Sequence, residues 1–278
     1  MFYLLLAVLS SALISVCMRL SEKHITHNIG MLSVNYLICT VMAACYTGTP
    51  NLLPSAEGLG TALWLGILSG ILYMVTFVIM QWNVQKNGVV LPATFMKLGV
   101  VVPTLVSIVL FRESPSIAQL AGFAGTAAAI LLIHFDRASS KAGSQAGLLV
   151  LLLLSGTTDL TAKFYEQWGM PTLESHYLFY TFLVALGLCL GLMFHKKQGI
   201  GGRELLFGTL IGIPNYFSAR FLLLALGRVP AMVVYPSYSV GTIVVISCAG
   251  LLFFREKLSR KKAVALCVIL VSLGLLNL

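Results

Sequence analysis

Ten apolar stretches, each about as long as a bilayer is thick, fill this 278-residue chain and leave only short connections. A helix that crosses the hydrocarbon core needs about 20 apolar residues. Because backbone groups find no water to bond inside a bilayer, such stretches are expected to be helical. The predicted helices are 2–20, 30–47, 61–83, 89–111, 116–135, 146–164, 174–194, 204–226, 229–253 and 260–277.

The composition leaves no length for a sizeable aqueous domain. Hydrophobic residues make up 58% of the chain and charged residues 10%, whereas a soluble domain is about 45–50% apolar and about 25% charged. The net charge of +9 is attributed to basic cytoplasmic loops and not to nucleic acid. The first stretch, from Phe2, has no basic segment before it and is predicted to be a first helix, not a cleaved signal.

The tripeptide Phe-Arg-Glu occurs at 111–113 and again at 254–256, a shift of 143 residues. Two other sets of residues recur at nearly the same shift: Arg19 and Glu22 with Lys163 and Glu166 at 144, and Gly66 and Gly70 with Gly208 and Gly212 at 142. Each half holds five stretches, and an odd number places the two copies in opposite orientations. We therefore predict an all-α integral membrane fold of ten transmembrane helices in two inverted five-helix repeats, 1–138 and 139–278.

The basic residues of the connections predict an orientation. Connections after odd-numbered stretches hold 13 Lys and Arg, and those after even-numbered stretches hold 3. Because basic loops stay in the cytoplasm, both termini are expected to face outward. We expect a multi-pass protein of the cell membrane, inner or plasma, in contact with lipid.

Two basic residues, Lys97 and Arg220, belong to no connection. A charge within a spanning helix costs a few kcal/mol and usually marks a pathway or a partner. Lys97 lies about 13 Å beyond Gly88, which is deep for snorkelling. Asp159 is placed at a depth similar to Arg220, so these two residues form either an internal ion pair or part of a binding site. Asp159 can also pair with Lys163 one turn away.

An ion pair between Asp159 and Arg220 would leave Lys97 as a surplus positive charge. A buried, unpaired cation loses its proton or finds an anion. On this reasoning an anionic group of a substrate is the expected partner of Lys97. Asp159, if unpaired, is the candidate site for a coupling proton.

Polar and aromatic residues recur on single faces of two predicted helices. The face in 204–226 carries Asn215, Tyr216, Ala219 and Arg220, and the face in 229–253 carries Tyr235, Tyr238, Ser239 and Thr242. Thr94 lies near the face of Lys97, and Tyr73, Phe77 and Trp82 form a third group that is either a counterpart or ordinary packing. A tyrosine hydroxyl in a membrane core needs a partner, so a hydrated cavity is predicted, with helix–helix hydrogen bonding as the alternative.

Proline and glycine add candidate hinges and contacts. Pro92, Pro103, Pro214 and Pro236 interrupt apolar helices, and we assign hinges to Pro92, Pro214 and Pro236. Gly187 and Gly191 have the G-x-x-x-G spacing, which fits internal packing or a homodimer.

Enzyme chemistry is not indicated. The six cysteines lie in apolar stretches, and the five histidines show no metal-ligand spacing and no nucleophile or carboxylate partner. We expect no catalytic residues, no metal and no cofactor. A Walker sequence is absent as well, so ATP-driven transport by this chain is not expected.

The layout resembles the drug/metabolite transporter superfamily, specifically its EamA-type members. The residues that carry the resemblance run from Pro92 through Phe111-Arg112-Glu113 and from Pro236 through Phe254-Arg255-Glu256. The resemblance implies a cavity lined by the first, third, fourth, sixth, eighth and ninth helices, and alternating access by rocking of the two halves. It also implies export or exchange of amino acids or other metabolites.

The leading hypothesis is a secondary or exchange transporter for a small polar metabolite with an anionic group, an amino acid or an organic anion. Lys97 would hold the anionic group and Arg220, checked by Asp159, would be a second contact or a gate. Tyr216, Tyr235 and Tyr238 would supply hydrogen bonds. The alternative is a cationic or amphipathic cargo that uses Asp159 and the tyrosines. A membrane-embedded lipid-modifying enzyme and a structural scaffold are more remote alternatives.

Overall fold

A computed structural model describes residues 2–48, 51–103, 106, 116–118, 120–122, 124–125, 128, 142–228, 231–253 and 260–275. Within these ranges the long helices are α1 (Phe2–Ser21), α2 (Asn28–Tyr46), α3 (Leu59–Asn87), α4 (Val90–Leu98), α5 (Ala142–Trp168), α6 (Glu174–His195), α7 (Gly202–Leu226), α8 (Ala231–Leu252) and α9 (Arg260–Leu275). A short 3₁₀ helix, Pro171–Leu173, precedes α6. No strand occurs in these ranges.

Eight of the nine helices coincide with predicted stretches to within a few residues, whereas α4 (Val90–Leu98) covers only the first part of the predicted helix 89–111. The predicted helix 116–135 and both Phe-Arg-Glu tripeptides lie largely or wholly outside the described residues. Six helices of the described part are long and apolar enough to cross a membrane. The chain is therefore an all-helical protein built for a membrane, as the composition predicts.

Helix α1 shows how the fold reverses the usual distribution of polarity. Its large side chains Leu5, Leu9 and Leu13 point outward and are 56%, 48% and 49% exposed. Ser11 and Ser15 on the opposite face are buried. An apolar exterior around a partly polar interior suits a protein surrounded by lipid.

Two close helix crossings use the glycines that the sequence pairs. On α3, a Cβ at Gly66 would lie 2.8 Å from the Tyr180 Cβ of α6, and a Cβ at Gly70 would lie 2.8 Å from the Val184 Cβ. No such contact is physically tolerable, so only glycine lets these helices approach this closely.

Helices α7 and α2 cross in the same manner. A Cβ at Gly208 would lie 2.5 Å from the Val34 Cβ, and one at Gly212 would lie 2.9 Å from the Ile38 Cβ. Gly187 and Gly191 behave differently, because a Cβ at either position would meet nothing within 4 Å. Internal packing therefore does not explain their spacing, and the homodimer stays a prediction.

The packing partners mix the two halves of the chain. Helix α1 packs on α7 and α8, and α2 packs on α7; likewise α3 packs on α5 and α6, and α4 packs on α5. We call α1, α2, α7 and α8 the first helix group, and α3, α4, α5 and α6 the second helix group. The groups meet mainly where α2 faces α6 and where α4 faces α8.

The predicted helix 89–111 is broken directly after Lys97. Helix α4 ends at Leu98 and helical backbone resumes at 101. Pro103 has no N–H to donate to the Gly99 carbonyl four residues before it, and that carbonyl instead accepts the Val102 N–H at 2.9 Å. The break therefore follows from Pro103, a proline to which no hinge was assigned.

The three predicted hinges differ in position. Pro92 lies in the first turn of α4, where N–H groups have no acceptor within the helix, so the expectation that it interrupts the helix is wrong and its assignment as a hinge stays a prediction. Pro214 lies inside α7, and Pro236 falls within the bounds of α8. Both of these stay candidate hinges.

Gly88 makes the connection between α3 and α4 short. Its φ of 76° is in the left-handed region, which a residue with a Cβ adopts only with strain. The chain therefore turns from α3 into α4 within two residues, which places Lys97 beside α5 and α8.

Glu204 ties the start of α7 to the turn between α1 and α2. The Glu204 carboxylate accepts the backbone N–H of Thr26 at 2.9 Å, of His27 at 3.1 Å and of Gly201 at 3.1 Å. The side chain is buried, at 5% exposure. Three backbone donors are thus satisfied by one charged acceptor.

We expect Glu204→Ala to lower the stability of the protein by at least about 2 kcal/mol, because hydrogen bonds to a charged group are worth more than neutral ones and three donors lose theirs. The apparent melting temperature of purified protein in detergent measures this. Glu57→Ala, at an exposed position, is the matched control and should change little. Equal melting temperatures for both variants would contradict this role of Glu204.

Candidate functional site

A cavity lies between the helices of the bundle, with a volume of about 90 Å³ for the centres of water molecules. One water needs roughly 10–15 Å³ by this measure, so the cavity has room for several waters or a small molecule. The lining residues are Ser11, Ile14, Tyr73, Thr76, Phe77, Met96, Lys97, Ser155, Thr158, Asp159, Asn215, Ser218, Ala219, Leu222 and Tyr238.

Among the described residues, the cavity is lined by the six helices that the family resemblance implies. They are α1, α3, α4, α5, α7 and α8, which correspond to the first, third, fourth, sixth, eighth and ninth predicted stretches. The expectation about the lining helices is therefore confirmed.

Lys97 faces this cavity and not the lipid. The side chain is buried, at 8% exposure, and its Nζ lies 3.8 Å from the centre of the Tyr238 ring. The Tyr238 hydroxyl forms a 2.9 Å hydrogen bond with Ser218 Oγ. Within the described ranges no hydrogen bond reaches the Lys97 ammonium, so its positive charge is directed at the ring and the open space.

Asp159 lines the same cavity from α5. The two charges act on each other electrostatically, yet no N–O distance of 4.0 Å or less joins the carboxylate of Asp159 to Lys97 or to Arg220, all three being described residues. The Asp159 carboxylate also accepts no hydrogen bond from the part of the chain that the structure describes. Both charges are thus available to a ligand between them.

Arg220 lies outside this cavity, which corrects two expectations. Its guanidinium donates to Ser175 Oγ at 3.3 Å and to the Tyr216 hydroxyl at 3.2 Å, and its Cζ lies 4.3 Å above the Tyr46 ring. The acidic residue within its electrostatic reach is Glu174. The ion pair between Arg220 and Asp159 is therefore absent, and Arg220 does not line the cavity as a substrate contact.

This arrangement changes the charge balance of the site. The surplus positive charge was inferred by pairing Asp159 with Arg220, and that pairing was wrong. Among the described residues, the cavity is lined by one ammonium, Lys97, and one carboxylate, Asp159, whose formal charges sum to zero. A neutral cavity with separated charges favours a dipolar ligand over a simple anion.

The other predicted site residues divide into two sets. Asn215 lines the cavity and donates through Nδ2 to Asn35 Oδ1 at 3.2 Å. Tyr216 is outside it, stacked on Tyr46 with ring centres 5.6 Å apart. The remaining three are buried but are not lining residues: Thr94, Tyr235 and Ser239.

Of these three residues, Thr94 has a hydrogen-bond partner and Tyr235 has none among the described residues. The Thr94 hydroxyl donates to the Val90 carbonyl of its own helix at 2.7 Å, which occupies its proton. The Tyr235 hydroxyl is buried and finds no partner within the described residues, although Asp159 acts on it electrostatically. The third polar and aromatic group found in the sequence, Tyr73, Phe77 and Trp82, is not kept together. Tyr73 and Phe77 line the cavity, whereas Trp82 packs under Lys86.

Sequence reasoning missed most of the small polar lining. The signal that could have found it is the repeat offset, because twelve of the fifteen lining residues form six pairs. These pairs are Ser11 with Ser155 and Ile14 with Thr158 at 144, and Tyr73 with Asn215, Thr76 with Ser218, Phe77 with Ala219 and Met96 with Tyr238 at 142. Lys97 and Asp159 do not belong to such a pair. The corresponding positions in the other half of the chain hold Ser239 for Lys97 and Ser15 for Asp159.

Within the described ranges, no group of three or more His, Cys, Asp or Glu side chains comes together as a candidate metal site. The polar groups that line the cavity are hydroxyls, an amide, one ammonium and one carboxylate. Such groups can hold a small molecule by hydrogen bonds and charge.

Comparisons with known proteins show the fold and no activity. No protein-family profile matches the chain, and no curated protein sequence is significantly similar to it. Among solved structures, 28 chains match. One of them, "Crystal structure of protein", has a TM-score of 0.66 and 12% sequence identity, covering 98% of this chain and 95% of that chain. The fold is therefore shared along nearly the whole length.

Proposed function

We propose that this protein is a secondary or exchange transporter that moves a small dipolar metabolite across the cell membrane by alternating access. The observation that carries the proposal is a cavity among apolar helices that Lys97 and Asp159 both line without forming an ion pair. Charges in a membrane interior are costly and usually mark a substrate or ion pathway. EamA-type membership in the drug/metabolite transporter superfamily is part of the same proposal.

The substrate class follows from the two charges and the walls around them. An anionic group would bind the Lys97 ammonium, and a cationic group would bind the Asp159 carboxylate. Asn215 and Ser218 offer further hydrogen bonds, and Phe77 adds an apolar wall. A zwitterion such as an amino acid satisfies both charges at once. An organic anion would bind Lys97 and would leave the Asp159 carboxylate without a cationic group of the substrate.

Ten spans in two inverted repeats are also part of the proposal. The glycine crossings support it, since Gly66 and Gly70 contact α6 as Gly208 and Gly212 contact α2. The partner atoms agree as well. Gly66 and Gly70 face the Cβ atoms of Tyr180 and Val184, and Gly208 and Gly212 face the Cβ atoms of Val34 and Ile38. Tyr180 follows Val34, and Val184 follows Ile38, by the same 146 residues. The six pairs of lining residues support a cavity shared by both repeats.

The moving bodies are proposed to be the two helix groups and not the two sequence halves. Each group is joined internally by crossings at which a side chain would clash, such as Gly208 of α7 against α2 and Gly66 of α3 against α6. Between the groups, no described glycine makes such a crossing. Interfaces made of side chains alone can rearrange more easily than backbones in direct contact.

Counterflow in proteoliposomes tests the function. Vesicles preloaded with an unlabelled L-amino acid mixture should accumulate the labelled mixture, and those given succinate or choline should accumulate little of either. Accumulation of choline alone would favour the alternative of a cationic cargo bound by Asp159 and the tyrosines. Absence of counterflow for all three probes would refute the proposed function.

Asp159→Asn tests whether the substrate is a zwitterion, which needs the Asp159 carboxylate, or an organic anion, which does not. For a zwitterion we expect counterflow to fall by about 30-fold or more, because removing one partner of a desolvated charge pair costs about 2 kcal/mol or more. Glu166→Gln, on the same helix but not at the cavity, is the control. Equal counterflow by the two variants would contradict a role for Asp159, and a coupling proton on Asp159 would then also be excluded.

A further inference from the structure

One cation and one aromatic ring connect the two helix groups beside the cavity. Lys97 belongs to α4 in the second helix group, and Tyr238 belongs to α8 in the first helix group. The Lys97 Nζ lies 3.8 Å from the centre of the Tyr238 ring. This contact therefore spans the interface that must rearrange if the groups move relative to each other.

The ring is held firmly by its own group. The Tyr238 hydroxyl bonds to Ser218 Oγ of α7 at 2.9 Å, and Ser218 Oγ in turn donates to the Ala7 carbonyl of α1 at 3.5 Å. Three helices of the first helix group thus set the position of the ring.

The ammonium is positioned by the second helix group in a similar way. Ser155 Oγ of α5 donates to the Met96 carbonyl at 2.7 Å, one residue before Lys97. At the break of α4, a Cβ at Gly99 would lie 2.6 Å from the Gly156 nitrogen, so the two backbones are in direct contact there. Movement of α5 would therefore carry Lys97 with it.

The contact between Lys97 and the ring is weaker than the bond that a substrate can offer. A cation above an aromatic face is held by the ring quadrupole. A carboxylate or phosphate oxygen makes a charge-assisted hydrogen bond to an ammonium, which is stronger and directional. Since no hydrogen bond from the described residues occupies the Lys97 ammonium, an incoming anionic group meets no competing acceptor.

We propose that the contact between Lys97 and Tyr238 is a latch that ties the helix groups together in the empty transporter and that the anionic group of the substrate releases. The latch rests on the proposed function, because it needs a substrate at Lys97. Binding draws the ammonium off the ring and frees the α4–α8 interface. The empty protein therefore changes sides more slowly than the loaded protein, and exchange of substrate is faster than net efflux.

The ratio of exchange to net efflux measures the latch. Both rates are followed in the same proteoliposomes with the labelled L-amino acid mixture as probe. Tyr238→Leu removes the ring, and we expect the ratio to fall by about threefold or more, since one cation–π contact is lost from the empty state only. Tyr238→Met, whose side chain is unbranched and apolar, serves as a second variant if the leucine protein is not monodisperse.

Two controls make the result specific. Tyr238→Phe keeps the ring and loses only the hydroxyl bond to Ser218, so the ratio should stay nearer to the wild-type value than in Tyr238→Leu, whatever its effect on affinity. Tyr46→Leu removes the ring that lies 4.3 Å from Arg220 Cζ. Tyr46 and Arg220 are both in the first helix group, and the Arg220 bond to Ser175 of the second helix group does not involve this ring, so the ratio should not change. An unchanged ratio in Tyr238→Leu, or an equal fall in Tyr46→Leu, would overturn the latch while wild-type counterflow keeps the transporter. Loss of wild-type counterflow overturns both.

Discussion

Replacing Lys97 by methionine is expected to abolish concentrative counterflow of a zwitterion while the protein still folds. Methionine keeps an unbranched side chain of nearly the same length inside the cavity and removes the ammonium group with its charge and its hydrogen-bond donors. Asp159 then faces the substrate alone, and the anionic group of the substrate is buried without a partner. Removing one member of such a pair costs about 2–5 kcal/mol, which is at least about a 30-fold loss of apparent affinity.

The measurement is the concentration dependence of counterflow, with Lys86→Met as the matched control. Lys86 also lies above an aromatic ring, with its Nζ 3.9 Å from the centre of Trp82, but it is exposed near the end of α3 and does not line the cavity. Methionine there should leave affinity unchanged. If counterflow survives Lys97→Met with the same affinity, Lys97 does not bind the substrate.

Leucine at Gly70 or Gly212 is expected to cost the most stability of any single change considered for this chain. At Gly212 even a Cβ would lie 2.8 Å from the Asn35 carbonyl oxygen and 2.9 Å from the Ile38 Cβ. A leucine can be accommodated only if α7 and α2 separate, which destabilises by about 3 kcal/mol or more. For a chain of this size that is a fall of about 6–12 °C in the apparent melting temperature.

Gly187→Leu is the control, because a Cβ at that exposed position meets nothing within 4 Å. Melting temperatures in detergent should place Gly70→Leu and Gly212→Leu together and Gly187→Leu with the unmodified protein. Such equality is also expected from the repeat, since the two glycines occupy corresponding crossings. A tolerated Gly212→Leu would show that the α2–α7 crossing is not as close as described.

The position of the helices could be predicted almost entirely from the sequence. Apolar length and turn residues such as Gly88 determine where a chain enters and leaves a helix, and both are local properties. The break after Lys97 was missed because Pro103 acts four residues back along the chain, on the Gly99 carbonyl. Pro92 was misjudged because its effect depends on where the helix begins.

The candidate site was predicted in its components and not in its pairings. Lys97, Asp159, Asn215 and Tyr238 line the cavity as expected, while Arg220 does not. Depth along a helix can be counted from the sequence, and it gave Asp159 and Arg220 similar depths. Rotation about the helix axis and the identity of the neighbouring helix are not encoded in that count. Asp159 therefore faces Lys97 across the cavity, whereas Arg220 is held by Ser175 and Tyr216.

The sequence alone determines that this chain forms a bundle of apolar helices with charges inside, because burial in lipid depends on composition and on segment length. The close approach of α3 to α6 and of α7 to α2 was foreshadowed by paired glycines, but their partners were not. Only the tertiary structure decided which charges share a cavity, since electrostatic partnership depends on distances between helices far apart in the chain. The site was predicted to carry a surplus positive charge and to bind an anion, whereas in the tertiary structure Lys97 and Asp159 line it with opposite charges.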